Sequence, residues 1–109
     1  MFRRLFRKHG PRALGEERDI VHLSAFARGH GGVEGYVEPR TIVTDTTLVL
    51  VAGSGEWTRR PVSGPDAARS FGRRLGVPVY DVTVTGYPNR MRAWNRRRSG
   101  GKDASWSTD

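Results

Sequence analysis

Residues 46–52 read Thr-Thr-Leu-Val-Leu-Val-Ala, a run in which every position is β-branched or apolar. Such a run favours a pleated, packed strand over a loop. Gly53-Ser54-Gly55 follows it, and Glu56-Trp57-Thr58-Arg59-Arg60-Pro61-Val62 then extends again. Two extended runs joined by a short glycine-containing turn form the pattern of a β-hairpin. The chain is thereby committed to a sheet around which its other elements must be arranged.

Upstream, Asp19 to Ala27 alternates Ile20, His22, Ser24 and Phe26 with Val21, Leu23, Ala25 and Ala27, which predicts a further strand. The glycine-rich stretch 29–35 breaks it with a turn, or with backbone able to approach a ligand. Tyr36 to about Val43 predicts another extended piece, and Pro39 places it at a sheet edge or bend. Ser63-Gly64-Pro65-Asp66 opens a helix with Ser63 as cap and proline in the first turn. Ala68, Phe71 and Leu75 are its buried stripe, Arg69 and Arg73 point away, and Gly76 closes it. Val77 to Thr85 predicts a strand, completing a β-α-β-like unit. Asn89 is expected to cap a short helix to Arg98 with Met91 and Trp94 on one face. The expected fold is therefore α+β: a small, mostly antiparallel sheet of about four or five strands with one main helix and a short C-terminal helix.

A chain of 109 residues is near the common size of one domain. It divides into a basic N-terminal arm over 1–17, a single domain over 18–98 and a polar tail over 99–109, expected to be disordered. There is no cysteine, which excludes disulfides, thiolate nucleophiles and zinc-thiolate or iron–sulfur centres. The longest apolar run, Leu48 to Ala52, falls far short of the roughly 20 residues that cross a bilayer. Arginines interrupt Phe2, Leu5 and Phe6, so no signal-peptide core is legible and a cytoplasmic location is expected.

The formal charge is +8, unevenly distributed. Residues 13–58 are net acidic, whereas residues 59–98 set ten arginines against Asp66 and Asp81. Clustered guanidinium groups attract polyanions, although genomes rich in G and C also enrich arginine without functional cause. Catalytic motifs are absent. Gly29-x-Gly31 and Gly53-x-Gly55 lack the third glycine of a dinucleotide loop, and no Gly-Lys-Ser/Thr occurs. Ser54 reads as a hairpin turn residue rather than a nucleophile elbow. His30 with Glu34 and Glu38 would hold a cation only if the glycine loop folded around it, so no metal and no cofactor is expected.

One cluster has binding character. Tyr87, Arg90, Arg92, Trp94, Arg96, Arg97 and Arg98 interleave aromatic rings with guanidinium groups, the combination that grips phosphates and stacks bases in RNA recognition. Arg59, Arg60, Arg69 and Arg73 extend the candidate nucleic-acid surface. The alternatives are a solvated basic face with Met91 and Trp94 packed on the sheet, or a protein-interaction module anchored by Trp57, Tyr87 and Trp94.

The stretches Tyr36-Val37-Glu38-Pro39-Arg40-Thr41, residues 46–51, Gly55-Glu56-Trp57-Thr58-Arg59-Arg60, Val79-Tyr80-Asp81-Val82 and Gly86-Tyr87-Pro88-Asn89-Arg90-Met91 carry a resemblance. Over about residues 18–98 the chain resembles a family of small uncharacterised actinobacterial proteins, some of which are labelled oxidoreductases. The resemblance implies a redox role for such members, but it assigns no catalytic residue here.

Overall fold

The computed structural model describes residues 16–99. Apart from Glu16, Glu17 and Ser99, the expected N-terminal arm and C-terminal tail lie outside the described residues. The chain runs α1 (Glu17–Gly29), β1 (Glu34–Glu38), β2 (Thr47–Val51), β3 (Trp57–Pro61), α2 (Pro65–Leu75), β4 (Val79–Asp81), α3 (Val82–Thr85) and α4 (Asn89–Arg98). The four strands form one sheet in the order β3-β2-β1-β4, with β2 antiparallel to both neighbours and β4 parallel to β1. The fold is α+β, with a short C-terminal helix.

The continuous apolar run of β2 is explained by its place inside this sheet. Leu48, Val49, Leu50 and Val51 are all fully buried, so both faces of the strand are covered. Leu48 and Leu50 join Val37 against Leu23 and Phe26 of α1 and Ala68 and Phe71 of α2. Val49 and Val51 join Tyr36 on the opposite face, under Met91 of α4. Each fully buried Leu, Val or Phe side chain stabilises the fold by about 1.5–3 kcal/mol.

Residues 19–27 are helical, not a strand, so two substantial helices rather than one cover the first face. The segment is apolar enough to satisfy either period, but its buried positions, Asp19, Leu23 and Phe26, recur at i, i+4 and i+7. Acidic Glu17 and Asp19 in the first turn and Arg28 in the last complement the helix dipole.

Other boundaries also move. The strand expected over Tyr36–Val43 is β1, ending at Glu38 before Pro39, and it is interior rather than an edge. Proline lacks the N–H that a further ladder rung would need. The cap of α2 falls on Gly64, not Ser63, because the residue before Pro65 is driven to an extended backbone. Gly76 closes this helix in the left-handed region, at φ 70°. Asn89 likewise lies inside α4, whose cap position is Pro88.

The strand expected over Val77–Thr85 shrinks to β4. Asp81 accepts hydrogen bonds from the Thr83 N–H at 2.9 Å and the Thr83 hydroxyl at 2.7 Å, diverting the chain into the single turn of α3. The β-α-β-like unit survives with its strands at opposite edges, so α2 spans the sheet between β3 and β4.

Candidate functional site

On the α4 side, strand alternation points Glu34, Tyr36 and Glu38 of β1 toward one layer of polar side chains. Glu38 accepts from Arg59 Nε and Nη2, each at 2.8 Å, from the Thr47 hydroxyl at 2.5 Å and from the Tyr87 hydroxyl. Glu34 accepts from the Tyr36 hydroxyl at 2.8 Å and from Arg90 Nη2 at 2.9 Å. Arg90 Nε also donates to the Ala52 carbonyl at 2.8 Å. These bonds tie α4 and the loop before it to the three antiparallel strands.

The electrostatics follow from this geometry. Burial pushes the Glu38 carboxyl up, but donation from Arg59, Thr47 and Tyr87 outweighs it and holds the group below the usual carboxylate range. The bonds from Arg90 and then Tyr36 do the same for Glu34. Burial, reinforced by the Glu34 bond, pushes the Tyr36 phenol up to about 12. Arg59 is raised by its bonds to Glu38. The arrangement fixes charges in place, with both carboxylates ionised and both phenols protonated at neutral pH.

The helix α4 is set by a missing side chain. Gly55 is buried, has φ 97°, and a Cβ there would collide with the Arg90 carbonyl and stand 3.0 Å from Trp94 Cβ. The hairpin turn therefore approaches α4 backbone to backbone. The indole N–H of Trp57 donates to Asn95 Oδ1 at 2.9 Å, and Arg97 donates to the Ser54 carbonyl at 3.1 Å.

The residues expected to form one binding surface are thus divided between two. Arg59 and Arg60 are adjacent in sequence but point to opposite faces. Arg59 stays with Glu38, whereas Arg60 lies on the α1 side, 3.6 Å from Asp19 and beside His22. Arg69 and Arg73 belong to α2, on that same side, and Arg69 pairs with Asp66 at 2.8 Å. Tyr87 and Arg90 are half-buried and held by Glu38 and Glu34. Trp57 is likewise engaged, through its indole N–H and through Arg59 stacked 5.3 Å from its ring.

What remains together is the outer part of α4. Arg92, Arg96, Arg97 and Arg98 are exposed. Arg97 and Arg98 lie 5.8 and 5.6 Å from the half-buried Trp94 ring. None of the four has a carboxylate partner among the described residues. The last three also complement the C-terminal dipole of α4.

His30, Glu34 and Glu38 do not converge on one point. His30 bonds the Phe26 carbonyl and Glu56, while Glu34 and Glu38 are engaged elsewhere. No group of three His, Asp or Glu side chains suited to a metal occurs among the described residues. No helix among them is long and apolar enough to cross a membrane.

The site escaped full sequence reading because charge alone does not distinguish a guanidinium group that holds the fold together from one left on the surface. The acids Glu34 and Glu38, four residues apart and so on one face of a strand, were the available signal that some arginines would be consumed internally. No family model, curated protein or solved structure matches the chain.

Proposed function

We propose that the chain binds single-stranded nucleic acid, RNA foremost, without catalysing a reaction, through Arg92, Trp94, Arg96, Arg97 and Arg98. The observation that carries this reading is a division among the arginines. Arg59, Arg60, Arg69 and Arg90 each lie against a carboxylate, whereas those on the outer part of α4 do not. Guanidinium groups flanking a half-exposed indole combine the two components of single-strand binding, phosphate contact and base stacking.

Fluorescence anisotropy with labelled oligouridylate, oligothymidylate and a duplex, over a salt series, tests the proposal. Affinity should fall with salt, by about 0.7 logarithmic units per decade for each single-strand phosphate engaged. Replacing Arg96, Arg97 and Arg98 by Ala should flatten that slope while leaving the folded spectrum intact. Salt-independent binding, or an unchanged slope in the triple variant, would overturn it.

A further inference from the structure

A groove of about 470 Å³ lies between α2 and the entry to β4, lined by Arg69, Gly72, Arg73 and Gly76 of the helix and by residues 77–79. It is on the opposite side of the sheet from α4. The bare helix surface at Gly72 brings the two elements close, since a Cβ there would stand 2.5 Å from both the Val77 carbonyl oxygen and Val79 Cγ2.

The strand beside this groove has an open edge. Among the described residues β4 pairs with β1 alone, and Gly35 donates to the Pro78 carbonyl at 2.8 Å. In a parallel ladder alternate residues bond the same neighbour. Val79, which stands opposite Gly35, therefore directs its N–H and C=O away from β1, and Asp81 two residues later directs its N–H outward while its carbonyl accepts from the Thr85 hydroxyl at 3.4 Å.

Over that edge stand two guanidinium groups. Arg73 is exposed and has no carboxylate partner among the described residues. Arg69, one helical turn away at about 5–6 Å between Cβ atoms, is exposed and paired with the fully exposed Asp66, which a partner's carboxylate would have to displace or join. Successive side chains on one face of a strand repeat at about 6.6–6.8 Å. The two spacings are close enough for both arginines to meet carboxylates at alternate positions of one added strand. The groove lining itself contains no acid.

We infer that the groove takes an extended segment of a partner protein, added as a strand to the free edge of β4, with acidic side chains at alternate positions facing Arg69 and Arg73. Backbone bonds to the N–H and C=O of Val79 and to the N–H of Asp81 supply the pairing, and the arginines select the sequence. This surface is independent of α4 and does not rest on nucleic-acid binding.

The test uses the full chain and a fluorescein-labelled peptide, Glu-Thr-Glu-Thr-Glu-Thr, blocked at both ends. Three results are expected together: saturable binding, shifts of the Val79 and Asp81 amide signals, and about tenfold weakening by Arg73→Glu, a 1.4 kcal/mol change. A second peptide with the same charges but N-methylated at alternate residues should bind at least about tenfold more weakly, because it cannot pair through its backbone. Equal binding of the methylated peptide, or indifference to Arg73→Glu in a variant with an unchanged folded spectrum, would overturn the inference. Displacement of the peptide by oligouridylate would also overturn it, by placing both ligands on one surface. Concentration-dependent dimerisation that shifts the same amides would assign the edge to a second copy instead and equally refute it.

Discussion

The two faces of the sheet are held by different forces. Beneath α1 and α2, hydrocarbon meets hydrocarbon: Leu23, Phe26, Leu48, Leu50 and Phe71 interdigitate there. Beneath α4 the apolar patch is smaller, built on Tyr36, Val49, Val51 and Met91, and directed bonds supplement it. A hydrophobic contact tolerates sliding, whereas a carboxylate gripped by Arg59, Thr47 and Tyr87 fixes position. The first face is therefore the main source of burial, and the second is a mount that sets α4 in one orientation.

Breaking the hydrocarbon face should have the largest effect. Phe71→Ala is expected to cost about 3–5 kcal/mol by denaturant titration, because the cavity beneath α2 is enclosed on the sheet side. A loss confined to α4 would show that the faces are less distinct than their contacts suggest. On the other face, Glu38→Gln should cost roughly 2–4 kcal/mol, since Arg59 keeps its charge while losing an ionic partner.

That second substitution also changes the acid response. Glu34 and Glu38 have folded-state pKa values below their ordinary ones, so their contribution is present above the unfolded-state value. It is lost as pH falls through the lower folded values. A stability–pH profile of Glu38→Gln should therefore be flatter than the parent profile in the acid range. His30, raised chiefly by its bond to the Phe26 carbonyl, has the opposite sign. Its contribution is complete below the ordinary histidine value and is lost as pH rises through the folded one.

Gly55→Ala tests the mount by shape alone. Forcing a Cβ against the Arg90 carbonyl at positive φ should cost about 1–3 kcal/mol and shift the Trp94 fluorescence more than any signal from α1. The smallest stability effect belongs to the outer arginines: Arg96→Ala or Arg98→Ala should stay within about 0.5 kcal/mol of the parent. A larger loss in thermal unfolding would mean that these side chains hold the fold rather than serve a ligand.

The hairpin, α2 and α4 were legible because their signals are local: a β-branched run, Gly53 and Gly55 in the turn, Pro65 and Gly76 at the ends of a helix. The segment over residues 19–27 was not, since nearly every position is apolar or small and both periods fit. Only the sheet waiting to receive Leu23 and Phe26 decides between them. The early end of β4 turned on one aspartate bonding its own downstream backbone. For the candidate site, composition located the arginine-rich segment but not its division. Whether Arg59 or Arg97 meets a carboxylate depends on which strand face and which helix turn each occupies, and that is a property of the assembled sheet.

The parallel rungs that join Gly35 to Val79 and Val37 to Asp81 link points far apart in the chain, with the β2–β3 hairpin and all of α2 between them. Closing so long a loop costs more conformational entropy than forming the hairpin, and the strand that closes it has only three residues. β4 should accordingly be the last strand to join the sheet and the first to leave it. Amide exchange at Tyr80 should outpace exchange at Val49, making the edge beside Arg69 and Arg73 a breathing margin of the sheet.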